Sequence, residues 1–247
     1  METLELPHTV KVYESDRKGE LHLRSLFNLL QDAADRHADS LGCGYEFCLT
    51  HGIGWVGANY HLKINRMPRR HESFILTTWA SGRTAVCGIR DFKAVNETGE
   101  PLFCASSQWA LIDLNSKRPV STAKNLPDYQ LHAERMIDTK FPSISFSELP
   151  ETEIRFPVRY EEIGLNNHVN NAVYPVWAAE SVPHDFRLAH DIAEMEIAFK
   201  KPAVFDDEIA VFTQTDGLTT THKIASPDKE KEFSRVRILW KETENAY

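Results

Sequence analysis

Two side chains in the second half of the chain have the types and spacing that acid–base chemistry needs. Asn166 and His168 stand in a polar turn between a strand-like segment and an apolar run over 172–179. A neutral imidazole accepts a proton near pH 7, and an amide can orient a water molecule or donate to an oxyanion. The pair therefore predicts acid–base chemistry at this turn, although an Asn-x-His pair before a helix is also typical of simple capping.

The apolar run after the turn predicts a helix over about 170–182 that ends near Pro183. Asn170 or Asn171 is expected to cap its first turn. The positive end of the helix would then point back at the polar turn, where it would favour an anion and keep the imidazole neutral.

Composition narrows the function classes. The 247 residues are 42% hydrophobic and 26% charged, enough for one large domain or two small ones. A net charge of -8 argues against nucleic-acid binding. The apolar run over 172–179 is too short for membrane insertion, and the first residues do not resemble a signal peptide, so a cytoplasmic location is expected.

The four cysteines form no CxxC pair, which suits a reducing compartment. His37, Cys43, Cys48 and His51 are close enough in sequence to raise the question of zinc, but their spacing matches no familiar zinc motif, and buried free thiols are the simpler interpretation. No serine-hydrolase elbow, phosphate-binding loop or dinucleotide fingerprint occurs. No metal and no cofactor is predicted.

The first half predicts one strand, one helix and four more strands. The strand covers 9–13, and a polar turn follows at 15–19. Apolar residues then recur at helical spacing up to Gly42, namely Leu23, Leu26, Phe27, Leu30, Ala34, His37 and Leu41. Strands are predicted over 54–64, 72–80, 83–95 and 101–113.

The second half repeats this order, with a strand over 155–160, the turn, the helix, and strands over 194–200, 208–215, 219–224 and 232–241. Aligning Tyr13 with Tyr160 places Gly19 on Asn166 and Leu21 on His168. The repetition predicts an internal duplication. The domains are expected at 1–120 and 152–247, with a connection over 121–151.

A strand, an apolar helix and four strands fit an α+β fold, in which a curved antiparallel sheet wraps around a long helix. This is the hotdog architecture in duplicate. Two such sheets can pair edge to edge as a pseudo-dimer, which would hide two strand edges.

At this point the chain resembles the acyl-acyl carrier protein thioesterases of bacteria and plants, nearly from end to end. The first-half motifs are Tyr13-Glu14-x-Asp16, Asn28-x-x-Gln31-x-x-Ala34-x-x-His37, Trp55-Val56, Thr78-Trp79 and Ala105-Ser106-Ser107-x-Trp109. The second-half motifs are Asn166-x-His168-Val169-Asn170-Asn171, Tyr174, Trp177 and Glu180-Ser181-Val182-Pro183.

The resemblance implies hydrolysis of fatty acyl thioesters on the phosphopantetheine arm of acyl carrier protein, within fatty acid biosynthesis. It implies catalytic roles for Asn166 and His168 and loss of the first-half site. Leu26, Phe27 and Leu30 would wall the acyl-chain pocket, with ordinary core packing as the favoured alternative.

Three positions depart from the family pattern. Gly164 and Pro202 stand where the family usually has acids, and Ala203 stands where it sometimes has cysteine. Glu162 matches another acidic position of the turn, and strand alternation favours it over Glu161 for the inner face. We therefore expect an altered site that uses Asn166, His168 and Glu162. The alternatives are a catalytically silent acyl-binding or regulatory protein, or a thioesterase that prefers coenzyme A thioesters.

Carrier proteins are acidic, so docking on this acidic chain requires a local basic patch. Arg66, Arg69 and Arg70 are one candidate, and Lys200 with Lys201 is another, although charges at such turns are usually just solvated. A homodimer is compatible with the fold, because tandem assemblies often pair again.

Overall fold

The computed structural model describes residues 2–147 and 150–243. The chain forms two compact units, the first ending at Phe141 and the second beginning at Pro142. This boundary falls inside the predicted connection, and the part before it packs on the first unit. The indole Nε1 of Trp79 donates to the carbonyl of Glu134 at 2.8 Å, and the backbone N–H of Met136 donates to the buried Asp91 carboxylate at 2.9 Å.

The first unit begins with a strand and a helix and continues as a sheet. Its elements are β1 (Leu4–Thr9), a 3-10 turn (Val12–Glu14), α1 (Leu23–Ser40), α2 (Tyr45–Thr50), β2 (Ile53–Ile64), β3 (Ser73–Arg83), β4 (Cys87–Asn96), β5 (Pro101–Asp113) and α3 (Thr122–Asn125). The strands pair antiparallel in the order β1-β3-β4-β5-β2.

The long helix α1 supplies the core of the first unit. Leu26, Phe27 and Leu30 are buried on one face of it, and the ring of Phe27 meets that of Tyr60 on β2 edge-on at 5.5 Å. Each such side chain contributes about 1.5–3 kcal/mol by leaving water. The helix ends before Gly42, whose φ of 73° suits a residue without a Cβ. The predicted helix is confirmed.

The second unit repeats this layout with a shorter helical part. Its elements are β6 (Thr152–Pro157), a 3-10 turn (Tyr160–Glu162), α4 (Tyr174–Ala179), α5 (His184–Ala189), β7 (His190–Phe199), β8 (Glu208–Asp216), β9 (Thr219–Ala225) and β10 (Glu232–Glu242). The antiparallel order is β6-β8-β9-β10-β7, the same as in the first unit.

Three of the predicted elements, the first strand of each unit and the second helix, differ from the structure. The first strand of each unit ends earlier than predicted, at Thr9 instead of 13 and at Pro157 instead of 160, and each is followed by a 3-10 turn, Val12–Glu14 and Tyr160–Glu162. The predicted long second helix is wrong: α4 has six residues, and a second short helix, α5, follows Pro183, which lacks the N–H needed to continue α4. Among the described residues, no helix has the length and apolar character needed to cross a bilayer.

Candidate active site

The turn that carries Asn166 and His168 is closed by backbone hydrogen bonds. Ile163 and Val169 form an antiparallel bridge, and the N–H of Gly164 donates to the carbonyl of His168 at 2.8 Å. The N–H of Asn167 donates to Gly164 at 3.1 Å, with Asn167 in the left-handed region at φ 57°. Asparagine tolerates this conformation better than most residues.

The closed turn presents its tip to solvent. The side chains of Asn166 and His168 are exposed, and Leu165 between the bridge and the pair is 94% exposed. Both polar groups are thus accessible to a water molecule and to a substrate that approaches the second unit. The described structure brings the two predicted catalytic residues onto one tip.

Glu162 has a different position, at the base of the turn. It is buried while Glu161 is exposed, as predicted, although the segment is a 3-10 turn rather than a strand. One carboxylate oxygen accepts the N–H of Arg159 at 2.8 Å, and the other accepts the indole N–H of Trp177 at 3.1 Å. Both oxygens therefore hold the turn to its neighbours, and Trp177 belongs to α4.

The other side of the turn rests on the segment that follows β7. The N–H of Val169 donates to the carbonyl of Ala203 at 2.9 Å, and the N–H of Ala203 donates to the Tyr174 hydroxyl at 2.9 Å. Burial raises the pKa of Tyr174 to about 12, which keeps the phenol neutral. Pro202 is exposed and Ala203 is buried. Because neither side chain carries an acidic group, neither position supplies an acid beside the turn.

The predicted capping of a helix by Asn170 or Asn171 is wrong. The helix begins at Tyr174, and residues 171–173 form turns. The side-chain amide oxygen of Asn170 accepts the backbone N–H of Ala172 at 2.9 Å. The backbone N–H of Asn170 donates to the backbone carbonyl of Glu162 at 2.8 Å. Asn170 thus closes the base of the turn, and the predicted effect of a helix end on His168 is not supported, because α4 begins only at Tyr174.

Gly164 leaves space that a side chain could fill. A Cβ added there would meet nothing closer than 3.7 Å, the distance to the carbonyl oxygen of His168. This is ordinary van der Waals contact, and the φ of Gly164 is not positive. The missing acid is therefore a feature of this sequence and not a steric requirement of the turn.

The first unit contains the same turn, and its hydrogen bonds correct the predicted alignment. Ser15 bridges Leu21 as Ile163 bridges Val169, and positive φ falls at Gly19 as at Asn167. Matching these features places Lys18 on Asn166 and Glu20 on His168, one residue away from the alignment based on Tyr13 and Tyr160. The first unit has neither catalytic residue type at these positions.

The matched turns also share their anchor. Glu14 accepts the N–H of Lys11 at 2.8 Å, as Glu162 accepts that of Arg159. The side-chain position of Gly164, however, is filled by Asp16 in the first unit. The Oδ1 atom of Asp16 accepts the N–H groups of Lys18 at 2.8 Å and Glu20 at 3.0 Å, which fixes the tip.

The other sequence candidates lie in the first unit. Leu26, Phe27 and Leu30 are core residues of α1, and their role as walls of an acyl pocket stays a prediction. The cysteines of the candidate zinc cluster lie in an apolar cluster with Ile53, Leu111 and Leu126, and burial raises the pKa of Cys48 to about 11. A thiol with a raised pKa is poorly suited to bind a metal.

One polar cluster was not found from the sequence. In the second unit, Nδ1 of His222 lies 3.0 Å from the Ser181 hydroxyl and 2.9 Å from the Thr213 hydroxyl. All three are buried, and burial lowers the pKa of His222 to about 3. The cluster contains no acid among its described partners, and it fixes the chain after α4 to β8 and β9. No periodicity or motif connects residues so far apart in sequence.

Comparison with known proteins agrees with the resemblance. The acyl-ACP thioesterase N-terminal domain matches residues 4–129, and the acyl-ACP thioesterase C-terminal domain matches residues 148–242. Oleoyl-acyl carrier protein thioesterase 1 of Arabidopsis thaliana is 27% identical over 233 residues, which is 86% of this chain and 62% of the relative. The enzyme of the same type from Coriandrum sativum is 24% identical over 93% of this chain and 64% of its own.

The chain thus spans less than two thirds of the length of these curated relatives. Solved structures match it over almost their whole length. A provisional oleoyl thioesterase from Lactobacillus plantarum has a TM-score of 0.85 at 26% identity and covers 98% of this chain and 97% of its own. An acyl-ACP thioesterase from Bacteroides thetaiotaomicron VPI-5482 shares the fold, with a TM-score of 0.85 at 21% identity and coverage of 97% and 98%. With both domains matched in order, the chain belongs to the acyl-ACP thioesterase family.

Proposed function

We propose that this protein hydrolyses fatty acyl thioesters of acyl carrier protein, releasing a free fatty acid and the carrier-protein thiol, in fatty acid biosynthesis. Family membership supports the reaction class. The observation that carries the proposal is the exposed tip with Asn166 and His168, held from below by Glu162 and Ala203. The cytoplasmic location and the homodimer stay predictions.

The chemistry follows from the two exposed groups. The imidazole of His168 removes a proton from a water molecule as its oxygen attacks the thioester carbonyl. Asn166 orients this water or donates its amide N–H to the developing oxyanion. The carbon–sulfur bond then breaks, and the imidazolium returns its proton to the leaving thiolate. Because a thiolate is a good leaving group, no covalent acyl-enzyme is needed.

Glu162 acts in this proposal as a positioning residue. Its two oxygens are engaged by Arg159 and Trp177, so it holds the base of the turn and does not activate water itself. A carboxylate in this place fixes the tip relative to α4, and even a small displacement of a reacting group is costly in catalysis.

The experiment is thiol release from a chain-length series of acyl carrier protein thioesters, with the matching coenzyme A thioesters alongside. His168→Ala is expected to lower kcat by about 10²–10⁴-fold, the usual contribution of a general base. Glu20→Ala is the matched control, because Glu20 has the same place in the first-unit turn. It is expected to leave kcat unchanged.

The alternatives give different results. Turnover with coenzyme A thioesters that equals or exceeds turnover with the carrier-protein series would contradict the substrate assignment. Tight binding of the acyl ligand without thiol release above the His168→Ala background would identify a silent acyl-binding protein instead.

A further inference from the structure

Each unit contains a second loop that supports its turn, and the two loops share several hydrogen bonds. In the first unit, the loop from Pro68 to Glu72 accepts the N–H of Leu21 through Pro68 at 2.9 Å. In the second unit, Ala203 accepts the N–H of Val169 at the equivalent place, also at 2.9 Å. The two support loops therefore begin their correspondence at Pro68 and Ala203.

The closing acids of the support loops confirm this register. The Glu72 carboxylate accepts the N–H of Arg69 at 2.8 Å, and the Asp207 carboxylate accepts that of Val204 at 2.8 Å. Positive φ occurs just before each acid, 67° at His71 and 72° at Asp206. Arg69 thus matches Val204, and Arg70 matches Phe205.

The matched positions carry opposite chemistry in the two units. Leu165, Val204 and Phe205 in the second unit are apolar and exposed. Their counterparts in the first unit are Arg17, Arg69 and Arg70, all exposed. The same backbone surface is thus apolar beside Asn166 and His168 and basic where the catalytic residue types are absent.

The three arginines border one open depression of about 430 Å³, together with Val12, Ser15, Asp16 and Gly19. The two loops that carry them are joined by the N–H of Arg70, which donates to the carbonyl of Gly19 at 2.7 Å. Over residues 2–147 and 150–243, no ion pair involves these three guanidinium groups. Three acids lie nearby: Asp16 accepts backbone N–H groups, Glu72 pairs with Arg66 and accepts the N–H of Arg69, and Glu20 forms a backbone bridge with Arg69.

Of the other basic candidates, Arg66 and Lys200 are already engaged. Arg66 binds the carboxylates of Glu72 and Glu100 at 2.7 Å each, and Lys200 binds Glu232 at 2.8 Å. Since the whole chain carries a net charge of -8, an anionic partner is repelled on average and needs a local cluster of uncompensated positive charge.

We propose that Arg17, Arg69 and Arg70, the arginine cluster of the first unit, form the docking surface for the acidic protein surface of the acyl carrier. The choice of the acyl carrier protein as the partner rests on the proposed function. The three guanidinium groups come from two loops around an open depression, an arrangement that suits several separate carboxylates of a protein surface better than the one phosphate of the phosphopantetheine arm. The first-unit turn thereby retains a function in recognition.

The test measures binding directly, so that it does not depend on turnover. A fluorescently labelled bacterial carrier protein is titrated with the full chain, once in the apo form without the arm and once in the holo form. Arg69→Glu/Arg70→Glu is expected to weaken binding of both forms by about ten-fold or more, and Arg17→Glu by a smaller factor in the same direction. Added salt should weaken wild-type binding and have much less effect on the double variant.

The matched control is Arg118→Glu/Lys140→Glu, which changes net charge equally at exposed positions elsewhere in the first unit. It is expected to bind like wild type. A neutral pair, Arg69→Gln/Arg70→Gln, with an unchanged thermal unfolding midpoint, guards against loss of folding and should give an intermediate affinity.

Three results would overturn the proposal: equal weakening by the control pair, unchanged binding in the arginine variants, or weakening confined to the holo carrier, which would assign the cluster to the arm's phosphate. If wild type binds the carrier through these arginines but releases no thiol from any thioester, the docking surface stands and the proposed hydrolysis fails.

Discussion

The turns around Asp16 and around Gly164 have the same backbone but different side chains. In each, a bridge closes the loop, a glutamate caps the 3-10 turn, and a residue with positive φ shapes the tip. The first turn has an aspartate that fixes the tip, beside arginines. The second has Asn166 and His168 on the tip but no side chain at Gly164.

The comparison shows that the backbone conformation of the turn does not depend on the side chains at its tip. The backbone hydrogen bonds and the anchoring glutamate account for the turn, because these are the features that both units share. In the proposed mechanism, catalysis depends on which residues occupy the tip, and the first unit serves as a control for the second.

After the loss expected for His168→Ala, the largest expected effect is at Asn166. Asn166→Ala removes an amide that orients water or stabilises the oxyanion, and it should lower kcat on acyl carrier protein thioesters by about 10²–10³-fold. The measurement is steady-state thiol release. Lys18→Ala, the matched change in the first turn, should leave kcat within about two-fold, since Lys18 has no part in the reaction. Equal losses in both variants would show that the two turns do not differ in function as proposed.

An intermediate effect is expected at the two anchoring glutamates. Glu162 is buried against Trp177, whereas Glu14 is partly exposed and lies 2.9 Å from His8. Glu162→Gln places an amide N–H₂ against a donor, which should destabilise the protein by about 1–3 kcal/mol, against less than about 1 kcal/mol for Glu14→Gln. Chemical denaturation measures both.

The same variant tests the positioning role of Glu162. If the carboxylate only positions the turn, Glu162→Gln lowers kcat without shifting the apparent pKa of the pH–rate profile. A lost or displaced acidic limb would instead make Glu162 the base. Unchanged turnover in Glu162→Gln, with turnover abolished in His168→Ala, would remove the carboxylate from the catalytic proposal altogether.

Periodicity in the sequence was sufficient to predict most of the fold. Helix α1 follows from helical apolar spacing, and the eight strands after the two turns follow from segments rich in β-branched and aromatic residues. The short α4 was missed because its apolar residues continue across the turn at 171–173 and up to Pro183, so composition could not show where the backbone stops being helical.

The residue types of the candidate site could be predicted from the sequence, but the contacts between those residues could not. Asn166 and His168 were visible from spacing, whereas the bonds from Arg159 and Trp177 to Glu162 depend on a 3-10 turn that no apolar pattern marks. The predicted alignment of the two halves was wrong by one residue, because Tyr13 and Tyr160, on which it was based, are both exposed and constrain no packing. The arginine cluster needed the fold, since its members come from two distant loops.

The smallest expected effect comes from restoring the missing side chain of the second turn. Gly164→Asp fits the space beside His168 and would accept the N–H groups of Asn166 and His168, as Asp16 accepts those of Lys18 and Glu20. Added hydrogen bonds and a stiffer unfolded chain should stabilise the protein by about 1 kcal/mol and, by fixing the tip, raise kcat a few-fold. Gly164→Ala separates the two contributions, because it stiffens the chain equally but brings no carboxylate. If both variants gain stability but only Gly164→Asp gains kcat, the tip of the second turn lacks hydrogen bonds in the natural sequence. A fall in kcat in Gly164→Asp would mean that the turn needs the glycine. The two turns would then not be equivalent at this position.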